Sequence, residues 1–494
     1  NRAAQGGGAA GATLRQCVVS ENVATGNGGG ALGGTLENAL VLANSAEYGG
    51  GAAEATLLHA TVAENVAAQA GGGLYRGVAS NSILYFNSAG NGWSNYFNAV
   101  CRYSCTTPDP QSVGNVTNDP RFVDRASGVY FLQTNSPALD AAAGSDLAQD
   151  LAGMPRPAAG LPGGIAAPDM GAYELTPAHY VSPAGGHVWP FLSWADAARD
   201  VQSAVDAADA PDLVWVTNGV YGTGGRAHLG ALTNRVVVDK AIRVASVNGH
   251  AQTVIEGAGP IGDAAVRGAF LGAGATLEGF TIRHGATRLA GDPVLDQSGG
   301  GVWAATNAAL ANCVLVSNAA AFRGGGIRGG ALLNSFLHAN AAAQGGGAAD
   351  GGLAYCTLTG NQATDGGGAI DCFGRYGIVY FNSATGSGTN VLGGLWETSC
   401  VAPAVGSGTF DADPLLLAPA DYRLAAGSPC IDAVAAPPMP PDRDLDGTPR
   451  PLDGDANGTA WFDVGAHEYI YAGADTDGDG MPDEWEIPNG LAPL

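Results

Sequence analysis

Asparagine recurs along this sequence at an almost fixed interval. Asn22, Asn44, Asn65 and Asn87 are separated by 22, 21 and 22 residues, and Asn318, Asn340, Asn361 and Asn382 by 22, 21 and 21. The same columns travel with each asparagine. Leucine stands eight residues earlier at Leu14, Leu36, Leu57, Leu310, Leu332 and Leu353. A small residue stands five earlier, as at Cys17, Ala39, Ala60, Cys313, Ser335 and Cys356. Valine or leucine stands three earlier, and alanine follows two after in all eight repeats. Such a period is too short for two helices, and apolar columns two residues apart carry the alternation of a strand. Three short strands and three turns fill a coil of this length. Coils stacked about 4.8 Å apart pair every strand with the one above and turn each inward column into a ladder of like side chains. The predicted fold class is therefore all-β, a right-handed parallel β-helix or solenoid. A leucine-rich repeat has an overlapping period, but its L-x-x-L-x-L spacing is missing.

The repeat also explains the glycine. Triplets such as Gly28-Gly29-Gly30 and Gly49-Gly50-Gly51 come at the same interval, among 78 glycines in 494 residues. They suit a bend where side chains would collide or φ turns positive. A formal net charge of −24 with 13% charged residues argues against nucleic acid, which demands clustered lysine and arginine. No apolar run reaches the length of a membrane span.

A longer alignment lies above the coils. Asn22 and Asn318 are offset by 296 residues and Asn87 and Asn382 by 295; PRP recurs at 155 and 449, and DMGAYE (169–174) as DVGAHE (463–468). The chain thus reads as a tandem module. Residues 1–100 are the later coils of a first β-helix, 101–177 its terminal domain, 178–400 a second and complete β-helix, 401–470 its terminal domain, and 471–494 an acidic tail. Before the second set of coils, Ala197, Val201, Ala204, Val205 and Ala208 share one helical face, with Ser193 and Asp196 as a capping box. This predicts an amphipathic lid over the open apolar end of the solenoid. Residue 1 aligns with about residue 297, so an upstream segment is expected before it.

Together the lid, the glycine-triplet coils, the DPRFVD…SPALD and DVGAHE blocks and the tail DTDGDGMPDEWE resemble bacterial secreted pectate-lyase-like β-helix proteins with a choice-of-anchor type C-terminal domain. The resemblance implies export or attachment to the cell surface. Proteins of this fold include polysaccharide lyases, hydrolases and adhesins, so fold alone does not name an activity.

The sharpest chemical motif is in the tail. Asp475, Asp477 and Asp479 alternate, Gly480 permits a sharp turn, Met481 offers its carbonyl, and Asp483 and Glu486 complete a D-x-D-x-D-G-x5-E loop for Ca²⁺. It resembles the short calcium loops of thrombospondin type 3 and dockerin-like repeats. Asp442, Asp444 and Asp446 repeat part of the spacing, but Arg450 stands where a ligand is needed; that stretch, followed by Asp453, Asp455 and Asn457, reads as a turn. On the solenoid, Asp350 and Asp371 lie one coil apart, and Arg323, Gln344 and Asp365 form another row with Arg328 nearby. They are the candidate groove for a glycan or cation: two carboxylates about 4.8 Å apart are placed to share Ca²⁺. The bland reading is a solvated row of turns, and His284 beside Arg283 reads as an isolated surface histidine. Cys313 and Cys356 share one inward column two coils apart, too far to bridge, and Cys17 matches them. Cys101 with Cys105, and Cys400 with Cys430, are each near enough to pair or stay free.

The short alanine and glycine turns around Ala341–Asp350 and Ala363–Gly374 favour a scaffold over an enzyme. The expected protein is an extracellular or cell-surface solenoid acting in adhesion, glycan binding or extracellular structure, with a glycan or a neighbouring β-helix subunit as partner. The alternative is a polysaccharide lyase or glycoside hydrolase acting on acidic glycans.

Overall fold

A computed structural model describes residues 1–471 apart from 126–127, 145–146, 158–166, 176, 419, 436, 439 and 456. The chain divides into two compact units between residues 177 and 178. Each is a parallel β-solenoid, and the helix Val201–Ala207 is the α-helix of the described residues.

In the second unit a nine-stranded sheet runs from Ala178–Val181 to Leu395–Glu397, in parallel register throughout. Leu277, Leu310, Leu332 and Leu353 therefore stack in one column. An eight-stranded sheet stacks Ile255, Ile282, Leu315, Leu337, Leu358, Val379 and Val401. These two columns meet inside one buried core. A third sheet of eight strands closes the coil. In the first unit Leu14, Leu36 and Leu57 stack, as do Val19, Val41, Val62 and Leu84. The inward columns are thus those predicted.

The coil has more strands than three. The stretch after each repeat asparagine forms a further short strand: Ala319–Arg323, Ala341–Gln344, Gln362–Asp365 and Ser383–Ala384 make a four-stranded sheet. A glycine triplet then turns the chain. Gly324 lies at φ +66°, and a Cβ on Gly325 would fall 2.4 Å from the carbonyl oxygens of Ala341 and Gly346. Both expected reasons for the triplet hold, at successive positions.

The asparagines form a buried hydrogen-bonded ladder. Asn318 donates its backbone N–H and its Nδ2 to Oδ1 of Asn340, at 3.0 and 2.9 Å. Asn340 repeats this on Asn361, and Asn361 on Asn382. The second amide hydrogen goes to a strand carbonyl, as from Asn340 to Leu315 at 2.8 Å. Asn22, Asn44, Asn65 and Asn87 repeat the pattern in the first unit. Each ladder has a further rung outside the period, because the next coil is cut short: Asn87 donates to Asn95, and Asn382 to Asn390.

The helix is shorter than expected and starts later. Its N-cap is Asp200, which accepts from Ser203 N at 2.8 Å, whereas Ser193 and Asp196 close a separate turn. Val201, Ala204 and Val205 are buried with Val214, Val236 and Val244 of the first coils. The terminal blocks do not prolong the solenoid axis. Leu40, Ile83 and Cys105 face outward from the first unit's eight-stranded sheet, and Phe122, Tyr130, Ala138 and Met170 pack on them. Ile378 and Cys400 receive Leu424, Cys430 and Val464 in the same way.

Asn340→Ala strips the acceptor from two donors of Asn318 and removes the Nδ2 donor from the Leu315 carbonyl and from Asn361 Oδ1, which keeps the backbone N–H of residue 340. A buried group left unpaired costs about 1–3 kcal/mol. We expect urea denaturation to show a loss of at least about 2 kcal/mol, against none for Thr364→Ala on the exposed side of the next coil.

Candidate functional site

Strand register brings four of the five predicted groove residues together. Arg323 ends its strand in register with Gln344 and Asp365. Asp350 and Asp371 occupy turns with φ of 58° and 50°, each held by its backbone N–H to the next coil, so both carboxylates project on one side. Arg323 Nη1 lies 2.8 Å from Asp350 Oδ1, its Nη2 bonds Asp371 Oδ2, and Arg328 Nε lies 3.2 Å from Asp350 Oδ2. The Arg323 guanidinium takes the place between the carboxylates where a shared cation was expected. Asp365 stands apart: its Oδ1 accepts from Ser387 N at 2.9 Å and fastens the next turn.

Aromatic stacking continues this row along the sheet. Trp303, in register before Arg328, lies parallel to Phe270 with ring centroids 4.6 Å apart, and the Arg328 guanidinium is 5.7 Å from the indole centroid. Trp303 Nε1 and Arg323 Nε are buried without an acceptor. Hydrogen-bonding capacity is left unspent at both, which is uncommon for buried donors. His284 is not isolated, since Glu256 Oε1 lies 3.2 Å from its Nδ1 and 3.0 Å from Arg283 Nε.

The repeated terminal motifs, read from the sequence only as alignment marks, build a buried clasp in each unit. Arg156 of the first PRP lies 3.1 Å from Glu174, the last residue of DMGAYE; Arg450 of the second lies 3.2 Å from Glu468, the last of DVGAHE. Both pairs are fully buried. Asp169 accepts from the backbone of Asp140 and Leu175, and Asp150 from Met154 and Glu174. Asp463 and Asp444 do the same in the second unit. The glycine of the motif is required: at Gly465, with φ +103°, a Cβ would meet Ile378 at 2.7 Å and Thr357 at 2.9 Å. In each clasp one guanidinium thus pairs with one glutamate, beside two aspartates held by backbone N–H groups. Burial, reinforced by Glu174, pushes Asp169 up to about 8, and burial opposed by Arg450 leaves Glu468 at about 7.

Of the acidic stretches, Asp442–Gly447 is the predicted turn: Asp444 accepts from Thr448 N and Glu468 N, and Asp446 from the Tyr422 hydroxyl. Asp432, Asp453 and Asp455 each bring a carboxylate oxygen within 4.8 Å of the others. Their oxygens also accept backbone N–H groups of Trp461, Asp455, Asn457 and Gly458. Asp475, Asp477, Asp479, Met481, Asp483 and Glu486 lie outside the described residues. All eight cysteines are free thiols. Burial pushes those of Cys101, Cys105, Cys313, Cys356 and Cys372 up to about 12, which makes them unreactive.

No family model matches the sequence, and no curated protein matches it. Among solved structures, the chain is similar to a pectin methylesterase from carrot, at 14% identity over 49% of this chain and 79% of that one, with a TM-score of 0.29. It is also similar to the A-module of a mannuronan C-5 epimerase from Azotobacter vinelandii, at 14% identity over 42% and 67%, with a TM-score of 0.26. Likenesses this distant say nothing of chemistry in this chain.

Two outcomes follow from the clasp. Arg450→Met leaves buried carboxylates without their cation and is expected to cost about 3–5 kcal/mol in chemical denaturation. Asp169 keeps its proton in the folded chain up to about pH 8, whereas an unfolded aspartate loses its proton near about 4. The stability it contributes is therefore complete below about pH 4 and is lost as pH rises through the folded value. Asp169→Asn mimics the protonated form, so its cost should be smaller at pH 8 than at pH 5. An equal or larger cost at pH 8 would contradict this assignment.

Proposed function

We propose that the protein is an extracellular or cell-surface β-solenoid that binds glycan without transforming it, in adhesion or extracellular structure. The observation that carries this reading is the row of Arg323, Asp350, Asp371 and Arg328 beside Trp303. Parallel strands fix the spacing of its planar groups at one coil, about 4.8 Å. A polysaccharide offers hydroxyls in a similar repeating series. Guanidinium and carboxylate groups donate and accept to such hydroxyls in fixed geometry. The same pairing weakens the enzymatic alternative. A lyase or hydrolase calls for an acid–base couple with a free carboxylate, histidine or arginine. Within this row, among the described residues, each carboxylate already faces a guanidinium and no histidine is present.

Binding and catalysis separate in one assay. Incubation with uronate-containing and sulfated glycans should give retention on immobilised glycan, weakened at least about tenfold by Arg323→Ala, a loss typical of a charge-assisted contact. No rise in absorbance at 235 nm should follow. Unsaturated product formed in a calcium-dependent way would establish a lyase instead.

Ca²⁺ belongs to the proposal through the tail. Asp475, Asp477, Asp479, Asp483 and Glu486 supply five carboxylates and Met481 a carbonyl, a donor set of hard oxygens that fits Ca²⁺. Calorimetric titration of the intact chain with Ca²⁺ should show a site that disappears in the double variant Asp475→Ala, Asp479→Ala. Unchanged binding in that variant would remove the tail from the account.

A further inference from the structure

In the second unit a cleft of about 660 Å³ opens between the solenoid and its own terminal block. Its floor is the C-terminal ends of successive strands of the first sheet, at Glu278, Asn312 and Leu333, and its far wall is the turn Pro441–Gly447. It lies apart from the Arg323 row, which is not among its lining residues. The polar groups in it are arranged rather than scattered. Asn312 and Asn334 stand on successive coils in left-handed turns, with φ of 54° and 48°. Asn334 Nδ2 donates to Asn312 Oδ1 at 2.8 Å and to the Arg443 carbonyl at 3.0 Å. Asn334 is not itself a lining residue: it is 0% exposed beneath the cleft, and its Oδ1 has no partner. Asn312 Nδ2 donates to Glu278 Oε1 at 3.3 Å, and Arg243 Nε to Glu278 Oε2 at 2.9 Å.

The first unit contains the same construction. A cleft of about 310 Å³ is lined by Arg15, Gln16, Glu37 and Asn38 against residues 147–149. Arg15 Nε pairs with Glu37 at 2.7 Å, and Asn38 Nδ2 donates to the Gln149 carbonyl at 2.6 Å. Asn38 is 4% exposed, and again its Oδ1 has no partner. Asn38 and Asn334 are offset by 296 residues, the offset of the repeat asparagines. A buried amide with one unspent acceptor, an ion pair on the solenoid edge and a terminal-block backbone thus recur together.

We infer that each cleft is a glycan subsite, and that the larger one takes a neutral, hydroxyl-rich oligosaccharide rather than a polyanion. The ligand class rests on the glycan reading above; the site and its charge preference do not. Amide and carboxylate groups side by side offer donors and acceptors together, which suits hydroxyls that do both. The volume falls within the range of small-molecule sites, about 300–1,000 Å³. Sign selects among glycans. The larger cleft presents Glu278, Asp442, Asp444 and Asp446 against Arg443, with Arg243 already spent on Glu278. A uronate or sulfate chain would meet like charge there. A bound cation is disfavoured because Asp444 and Asp446 point to Thr448, Glu468 and Tyr422 and not to a common centre.

The test is calorimetric titration of the intact chain with neutral gluco-, manno- and galacto-oligosaccharides of four to six sugars and with oligogalacturonate. Asn312→Ala removes the cleft amide, Ala311→Phe fills the cleft without removing a hydrogen bond, Arg323→Ala reports on the row, and Thr364→Ala is the control. A neutral oligosaccharide should bind at least tenfold more weakly to each cleft variant, with the melting temperature of Ala311→Phe that of the parent, and equally well to Thr364→Ala. The inference is overturned if no neutral oligosaccharide binds, if both cleft variants bind it as the parent does, or if the cleft variants lose oligogalacturonate instead. Oligogalacturonate binding lost only in Arg323→Ala, with no neutral binding, would sink this inference and leave the wider glycan reading standing. No binding of either kind would sink both.

Discussion

Everything in this molecule depends on the buried contact between one coil and the next, and its most specific element is the asparagine ladder. An apolar shaft alone holds coils together without saying how far one may rotate or slip on another. A slip of two residues along a strand would still keep its apolar face inward. The asparagine amide removes that freedom, because its Oδ1 accepts two donors from the coil before and its Nδ2 reaches a strand carbonyl. A slipped coil would leave those groups buried and unpaired. Register then places every outward side chain, including Arg323, Asp350 and Asp371. The glycines answer the same constraint from the other side, since coil backbones approach too closely at Gly325 for any side chain.

The terminal blocks add a second organising contact, made of charge rather than apolar stacking. Each packs on outward-facing residues of a sheet of its own unit and is fastened by a buried arginine–glutamate pair. Buried ion pairs seldom add much net stability, because desolvation offsets the Coulomb gain. Their effect is on specificity: one placement of the block brings Arg450 to Glu468 and the Gly465 carbonyl and gives Asp463 and Asp444 their backbone N–H donors together. That placement opens a polar cleft beside the block, so the clasp and the cleft share an origin.

Legibility in the sequence followed periodicity. The columns at Leu310, Leu315 and Asn318 repeat often enough to be read directly, and the structure stacks them as expected. The row containing Asp350 and Asp371 was visible for the same reason, but its chemistry was not. Sequence spacing shows that two carboxylates are neighbours; it does not show that Arg323 reaches between them. Asn95 and Asn390 escaped because they continue the ladder eight residues on, where the period fails. The clasp escaped because its members join segments more than ten residues apart with no repeat inside a unit, and only the recurrence of PRP and DVGAHE marked them. The helix start moved from Ser193 to Asp200 because both residues cap turns, and local capping signals do not say which turn continues as helix.

Amide hydrogen exchange on the intact chain tests the central claim most directly. Peptides containing Asn44, Asn65, Asn340 and Asn361 should be among the slowest to exchange, slower than the turns at Asp350 and Asp371 on the same coils. Exchange at the asparagines as fast as at those turns would mean that the ladder does not hold the coils in register.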